Sequence, residues 1–380
     1  MALDNSVGIS NSPNRVDNAR IASLDVMRTI ALFGIIVLNY HGYLNFSTAS
    51  QTSVPSIFER WWHPFTGVLA NPFPVGFVMI AGMGVSLLIG VNNSDQTLKI
   101  KRGRLVRRGL FLFTLGYGIN WIWPGTILIY YGAFFLVARV IATWSKRKLV
   151  ALAFVAVAIA ALVEWWRLDQ SFKGNFTSWL SPAEPNTPRN LLIRVFIDYT
   201  HPLFPWLAFF IVGILLGRAS SRLGSIRLRL LAIGVAATTV PYFINATVNS
   251  IAATSSQNDE RLRHLASTRP FDRGVLYVVS ALGIVIIVFT IVTYFCERFS
   301  DSWIVNFAQH AGQMTLTIYL AHIFIYNVVV NWFKLITPTG LDTAMMFSVG
   351  VYLTGVFWAN WWFKRFGRGP AERIYRYFGG

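Results

Sequence analysis

Gly274-Val275-Leu276-Tyr277-Val278-Val279-Ser280-Ala281-Leu282-Gly283-Ile284-Val285-Ile286-Ile287-Val288-Phe289-Thr290-Ile291-Val292-Thr293-Tyr294-Phe295-Cys296 runs for 23 residues without a charged side chain. An α-helix needs about 20 mostly apolar residues to cross the hydrocarbon core of a bilayer. Nine further stretches have the same character: 24–44, 71–92, 106–123, 125–143, 149–166, 203–219, 229–250, 313–333 and 343–363. They are too long for the roughly 10-residue strands of a membrane barrel. Backbone groups in hydrocarbon must then be satisfied within each segment, which makes every one a helix. The fold expected is an all-α polytopic membrane protein, a bundle of about ten transmembrane helices.

Composition agrees. The mean hydropathy is +0.50 and only 13% of the residues are charged, against roughly 25% in soluble domains. The formal net charge of +17 is concentrated in alternate loops. Arg15 and Arg20 precede the first stretch. Lys99, Lys101, Arg102, Arg104, Arg107 and Arg108 follow the second, Lys146 to Lys148 the fourth, and Arg218 to Arg229 the sixth. Lys364 to Arg376 close the chain. The bias of Lys and Arg toward cytoplasmic loops places both termini in the cytoplasm. It also accounts for the charge without nucleic acid, whose binding would need a soluble basic domain.

Residues 1–20 read as a disordered cytoplasmic lead, 21–366 as the membrane domain and 367–380 as a cytoplasmic C-terminal tail. No cleavable signal peptide precedes the first stretch, which is expected to serve as its own anchor. The single Cys296 excludes a disulfide framework and a cysteine-based metal site, and no metal is expected.

Polar groups inside such spans are expensive and mark function. Asp25 and Arg28 stand three apart on one helical face and can pair. Asn39 lies eleven residues beyond Arg28, about three turns on and on a similar face. His41 follows it at the far interface. The loop Ile57-Phe58-Glu59-Arg60-Trp61-Trp62-His63-Pro64 reads as an interfacial or re-entrant segment. Asn71-Pro72-Phe73-Pro74 then starts the second span on irregular backbone. His201, between Thr200 and Pro202, sits at an external end where the prolines imply a kinked entry. His322 is deeper, either in an interhelical hydrogen bond or lining a polar tunnel with His41 and His201. Arg102, Arg104, Arg107 and Arg108 belong to a run of six cations in ten residues, a topogenic signal that is also the multivalent mouth a phosphate-bearing ligand needs.

Leu24-Asp25-Val26-Met27-Arg28 with the apolar run to Asn39 resembles the first span of the YeiB-like family. It is also similar to that of the heparan-α-glucosaminide N-acetyltransferase family, both within the transmembrane acyltransferase superfamily. Pro202-Leu203-Phe204-Pro205-Trp206-Leu207 on to Gly213 and Gly217-Arg218 looks like a second block, and Gly312-Gln313-Met314-Thr315-Leu316-Thr317-Ile318-Tyr319-Leu320 like a third. The tail Phe366-Gly367-Arg368-Gly369-Pro370-Ala371-Glu372 resembles the family's closing block. Together they reach from residue 20 to 376.

The resemblance implies an enzyme that moves an acyl group, typically acetyl, from cytoplasmic acetyl-CoA to a hydroxyl or amine of an extracytoplasmic carbohydrate. It implies a catalytic His63 aided by Asn39, and it is compatible with a homodimer in the cell membrane. The acidic residue that often begins the second span is Asn71 here. The Arg-Gly pair of relatives is Arg28-Thr29, and the acyltransferase type 3 family would carry histidine where Asn39 stands. Chemically, His63 would act as general base or acyl carrier. Asn39 and Asn71 would donate to the thioester oxygen, and Arg28 with Arg102, Arg104, Arg107 and Arg108 would hold the CoA phosphates. Two other readings are a transporter of a small polar solute and a non-enzymatic scaffold. Neither predicts a response to acetyl-CoA or a dependence on His63.

Overall fold

A computed structural model of the chain describes residues 13–45, 57–70, 72–90, 94–252, 256–336 and 341–380. Fifteen α-helices follow one another among them, and the described residues contain no strand. They are α1 (Pro13–Asn45), α2 (Ile57–Trp62), α3 (Pro72–Ile89), α4 (Asp95–Ile119), α5 (Leu128–Ile141), α6 (Lys146–Phe172), α7 (Pro188–Phe196) and α8 (Leu203–Arg218). Then come α9 (Leu223–Ile251), α10 (Gln257–Leu265), α11 (Val275–Arg298), α12 (Trp303–Gly312), α13 (Thr315–Tyr326), α14 (Leu341–Phe366) and α15 (Pro370–Gly379). Beyond Tyr326, α13 widens into a π turn over Asn327–Trp332.

A helix stands at each of the ten expected stretches. Seven segments are long and apolar enough to cross a membrane: those in α1, α3, α6, α9, α11, α13 with its π turn, and α14. Three expected spans fall short of that measure. α5 and α8 are apolar but have only 14 and 16 residues, about 21 and 24 Å of rise against a hydrocarbon core of about 30 Å. α4 is long enough, but its first half carries the six cations of 99–108. The helix of the first span already begins at Pro13. The second span starts more regularly than its sequence implied. Pro72 and Pro74 occupy the first turn of α3, where a missing N–H costs no intrahelical bond.

Local chemistry sets the ends. Ser94 and Ser145 cap α4 and α6 by accepting the N–H of Thr97 and Lys148, a contribution of about 1 kcal/mol each. Phe204 leaves helical geometry at φ −101°, ψ 117° inside α8, which is the kinked entry its prolines implied. α3 and α8 pack backbone to backbone. A methyl group on Gly82 would overlap the carbonyl oxygen of Phe210, and one on Gly213 that of Met79.

Two ends of the bundle are defined by their contacts. At the basic end Arg102 donates to Thr143 at 2.8 Å, and Arg218 donates to the carbonyls of Ala142 and Trp144 at 2.7 Å. The last residues of the chain lie there against Arg107 and Arg108. The opposite end gathers the loops after α2, α4, α7 and α10. Arg273 there pairs with Asp198, Arg194 donates to Asn120 at 2.9 Å, and Phe65 packs on Phe271 with ring centroids 5.3 Å apart. α1, α3, α8 and α11 supply most of the core, while α6 and α9 expose apolar side chains such as Phe154 and Leu228.

Candidate active site

A cavity of about 480 Å³ opens inside the basic end, well within the range of small-molecule sites. Arg28 and Asp25 of α1 form one wall and pair as the i,i+3 spacing requires. Arg108 of α4 and Arg368, Glu372 and Arg376 of the C-terminal segment form the others. Four guanidiniums therefore face two carboxylates. The Arg376 guanidinium is held below its ordinary pKa by burial, then by the neighbouring charges of Arg368 and Arg108. Crowded cations of this kind favour an anion. Arg108 also leaves its buried Nε without a partner among the described residues.

The C-terminal segment is fixed by its own sequence. Gly369-Pro370 opens α15, with Pro370 at a position where its missing N–H is harmless and Glu372 two residues on. The Glu372 carboxylate accepts the N–H of Thr317 at 3.0 Å and the Thr317 hydroxyl, so it caps the start of α13. Burial pushes this carboxyl above the usual range, against the pull of the Thr317 bonds. Gly312, the last residue of α12, lies where any Cβ would overlap the carbonyl of Asp25. Three blocks that are far apart in sequence thus meet at one cavity.

The floor of the cavity is made by Tyr131 and Tyr319. Beyond it lies a fully buried centre. His322 donates Nδ1–H to the carbonyl of Tyr319, which leaves Nε2 to accept from Asn39 Nδ2 at 3.4 Å. Tyr40 donates its hydroxyl to the His322 carbonyl at 2.7 Å. Asn39 thus serves the interhelical contact of α1 with α13.

At the opposite end stands a second pair. His41 donates Nδ1–H to the Trp62 carbonyl at 3.0 Å, so its lone pair is on Nε2. The His63 Nδ1 accepts from the N–H groups of Phe65 and Thr66 at 3.3 and 3.2 Å, and the Thr66 hydroxyl is 2.9 Å away. The proton of neutral His63 therefore sits on Nε2. The two rings are edge-on, 6.4 Å apart. Burial lowers the His63 pKa and keeps the ring neutral. A tight turn holds it, closed by Gly67 N–H donating to the His63 carbonyl at 2.8 Å.

Among the sequence candidates the structure joins Asn39 to His322, His41 to His63, and Arg28 to Arg108. It does not place Asn39 beside His63. Residues 39 and 41 point about 200° apart on an α-helix, and each faces a different neighbour. Asn71 lies outside the described residues. Arg102 bonds Thr143 away from the cavity, and Arg104 and Arg107 meet Gly380 at the chain's end. His201 is buried against Trp206 and Tyr130, with ring centroids 4.6 and 5.7 Å away. Burial and the Arg273 charge push its pKa down to about 3. Arg368, Arg376, Glu372, Tyr131 and Tyr319 were absent from the sequence reading of the site. The Gly-Pro-Ala-Glu motif at 369–372 was the signal that pointed to the tail.

Comparison with known proteins matches the architecture. Residues 20–244 match the family described as heparan-alpha-glucosaminide N-acetyltransferase, catalytic. Residues 216–379 match a family described as a protein of unknown function, DUF418. One curated relative, an uncharacterized 39.9 kDa protein in the amylase 3' region of Bacillus acidopullulyticus, is 33% identical over 116 residues. That match covers 30% of this chain and 32% of the relative, so it spans about a third of the relative's length. The cavity draws Asp25, Arg28 and Arg108 from the first matched region and Thr315, Arg368 and Arg376 from the second. This multi-pass membrane protein belongs to the heparan-α-glucosaminide N-acetyltransferase catalytic family and carries its membrane acetyltransferase type of domain.

Proposed function

We propose that the protein transfers an acyl group, acetyl in the first instance, from acyl-CoA to a hydroxyl or amine of an extracytoplasmic sugar or envelope glycan. The single observation carrying this is the arginine-lined cavity at the basic end, floored by tyrosines and followed along α1 by Asn39–His322 and then His41–His63. In this reading the bundle crosses the plasma membrane ten times with its basic end in the cytoplasm, as the Lys and Arg distribution favours. α4, α5 and α8 then complete the crossings in a locally thinned or protein-lined layer.

Arg108, Arg368 and Arg376 would bind the phosphates, with Arg28 held ready by Asp25. The Tyr131 hydroxyl at the floor, without a partner among the described residues, is a donor for a carbonyl of the pantetheine or thioester. Asn39, steadied by His322, would present its remaining amide hydrogen to the oxyanion. At the acceptor end His41 has the basic nitrogen and His63 the N–H. The acceptor's oxygen or nitrogen attacks the thioester carbon, the new C–O or C–N bond forms and the C–S bond breaks. The acceptor's proton passes to the His41 imidazole and finally to the CoA thiolate, giving free CoA. His63 would hold the acceptor through Nε2–H. Asn71 is proposed as a second amide donor.

The test is transfer of radiolabelled acetyl from acetyl-CoA to oligosaccharide acceptors in proteoliposomes. His63→Ala and His41→Ala should each lose about 10²–10⁴-fold in rate while still binding acetyl-CoA. Parental turnover in both variants would remove the histidine pair from the chemistry. A transporter of small polar solutes would show neither transfer nor acetyl-CoA binding.

A further inference from the structure

Tyr319 separates the cavity from the buried centre. Its ring lines the cavity floor, and its centroid is 4.9 Å from that of His322, which is completely buried. One aromatic layer therefore stands between a space open to the basic end and the imidazole of His322. The Tyr319 hydroxyl accepts the N–H of Ile127 at 3.2 Å and meets the Thr126 hydroxyl at 3.4 Å. Both distances are at the long end for hydrogen bonds, so the closed rotamer is weakly latched between α13 and the turn that leads into α5.

The far side is crowded. Tyr40 lies 5.8 Å and Trp123 5.7 Å from His322 by ring centroid, and Tyr326 is 5.1 Å from both Tyr40 and Trp123. Swinging Tyr319 aside would open, next to His322, a space no larger than the ring itself, which takes an acetyl group but not an extended alkyl chain. A longer alkyl chain would run into Tyr40 and Trp123. On the near side, the buried Tyr131 hydroxyl without a partner among the described residues marks a place where a polar group of a ligand stops.

We infer that Tyr319 is a gate between the donor cavity and the Asn39–His322 centre, and that it restricts the donor to short acyl groups. The inference rests on the acyl-CoA reading above. A gate of this kind keeps water from the thioester until the acyl group is committed. Tyr319 is a specificity-determining and positioning residue.

The full-length protein in detergent, as parent, Tyr319→Phe and Tyr319→Ala, is titrated calorimetrically with acetyl-CoA and hexanoyl-CoA. Each is then assayed for release of free CoA thiol without acceptor. In that release water's oxygen bonds to the thioester carbon, the C–S bond breaks, and the products are the carboxylic acid and CoA thiol. All three proteins should bind acetyl-CoA with affinities within about tenfold, because the phosphate end is untouched. Tyr319→Ala should release thiol about tenfold faster than the parent, and should improve hexanoyl over acetyl turnover by about tenfold or more. Tyr319→Phe, which keeps the ring and loses the latch, should show the hydrolysis without the change in chain length. If Tyr319→Ala does not fold, Tyr319→Leu takes its place with the same expectation. Parental hydrolysis and chain-length preference in a variant that binds acetyl-CoA would overturn the gate and leave the acyl-CoA reading standing. Absence of acetyl-CoA binding by the parent would overturn both.

Discussion

Glu372 accepts the backbone N–H of Thr317 at 3.0 Å, joining two residues 55 positions apart at the rim of the arginine-lined cavity. The contact explains why a Gly-Pro-Ala-Glu tail and a Thr-Leu-Thr stretch belong to one domain. The first presents the carboxylate at the start of α15, and the second is the open N-terminal turn of α13. α15 then continues along α4, with Phe378 stacked on Phe111 at 5.4 Å. Arg368 and Arg376 are thereby delivered to the cavity wall.

Glu372→Ala should loosen this junction. Removing one partner of a buried charged hydrogen bond costs about 1–3 kcal/mol. The variant should unfold at a lower temperature in detergent and bind acetyl-CoA more weakly than the parent. Glu372→Gln keeps an oxygen acceptor for Thr317 and should lie between the two. Equal melting temperatures for all three would show that the contact stabilises nothing.

The pH dependence follows from His63. Its folded pKa is lowered by burial, so the unfolded chain takes up a proton near the ordinary value of about 6.5 before the folded protein does. The neutral ring is therefore kept in the fold to lower pH. Stability is fully present above pH about 6.5 and falls as the pH drops from there toward the folded pKa. The melting temperature should therefore fall less between about pH 7 and about pH 5 in His63→Ala than in the parent. An equal fall in both proteins would contradict the burial of this ring.

Orientation is open to a direct labelling experiment. Phe176, after α6 at the end opposite the basic one, is 91% exposed. A Phe176→Cys protein in a Cys296→Ser background should react with a membrane-impermeant maleimide in intact cells. Arg107→Cys, at the basic end, should react only after lysis. The reverse pattern would invert the direction of transfer.

The helices were legible in the sequence because apolar runs of this length have one solution in hydrocarbon. The Asp25–Arg28 pair was legible because spacing on a helix fixes it. The donor wall was not. Six cations from Lys99 to Arg108 read as one patch along the chain. Successive residues are 100° apart on a helix, so α4 turns Arg108 toward the cavity and Arg102 toward Thr143. Arg368 and Arg376 read as topogenic charge until α15 folded back on α4. Asn39 and His322 are 283 positions apart, and no local pattern pairs them. The resemblance supplied both Asn39 and His63, while the geometry sets Asn39 against His322 of α13 and His63 beside His41 of α1.

The central claim is that the arginine-lined cavity is the acyl-CoA donor site, and a calorimetric titration of acetyl-CoA tests it most directly. The parent is compared with Arg368→Ala/Arg376→Ala and with Arg102→Ala/Arg104→Ala, all in detergent at one salt concentration. Each charged hydrogen bond contributes about 1.5–3 kcal/mol, so the first double variant should bind at least about a hundredfold more weakly. The second should stay within about threefold of the parent, because Arg102 and Arg104 are half-buried charges outside the cavity wall. Unchanged affinity in Arg368→Ala/Arg376→Ala, with binding lost in Arg102→Ala/Arg104→Ala, would move the donor site out of the cavity and contradict the account.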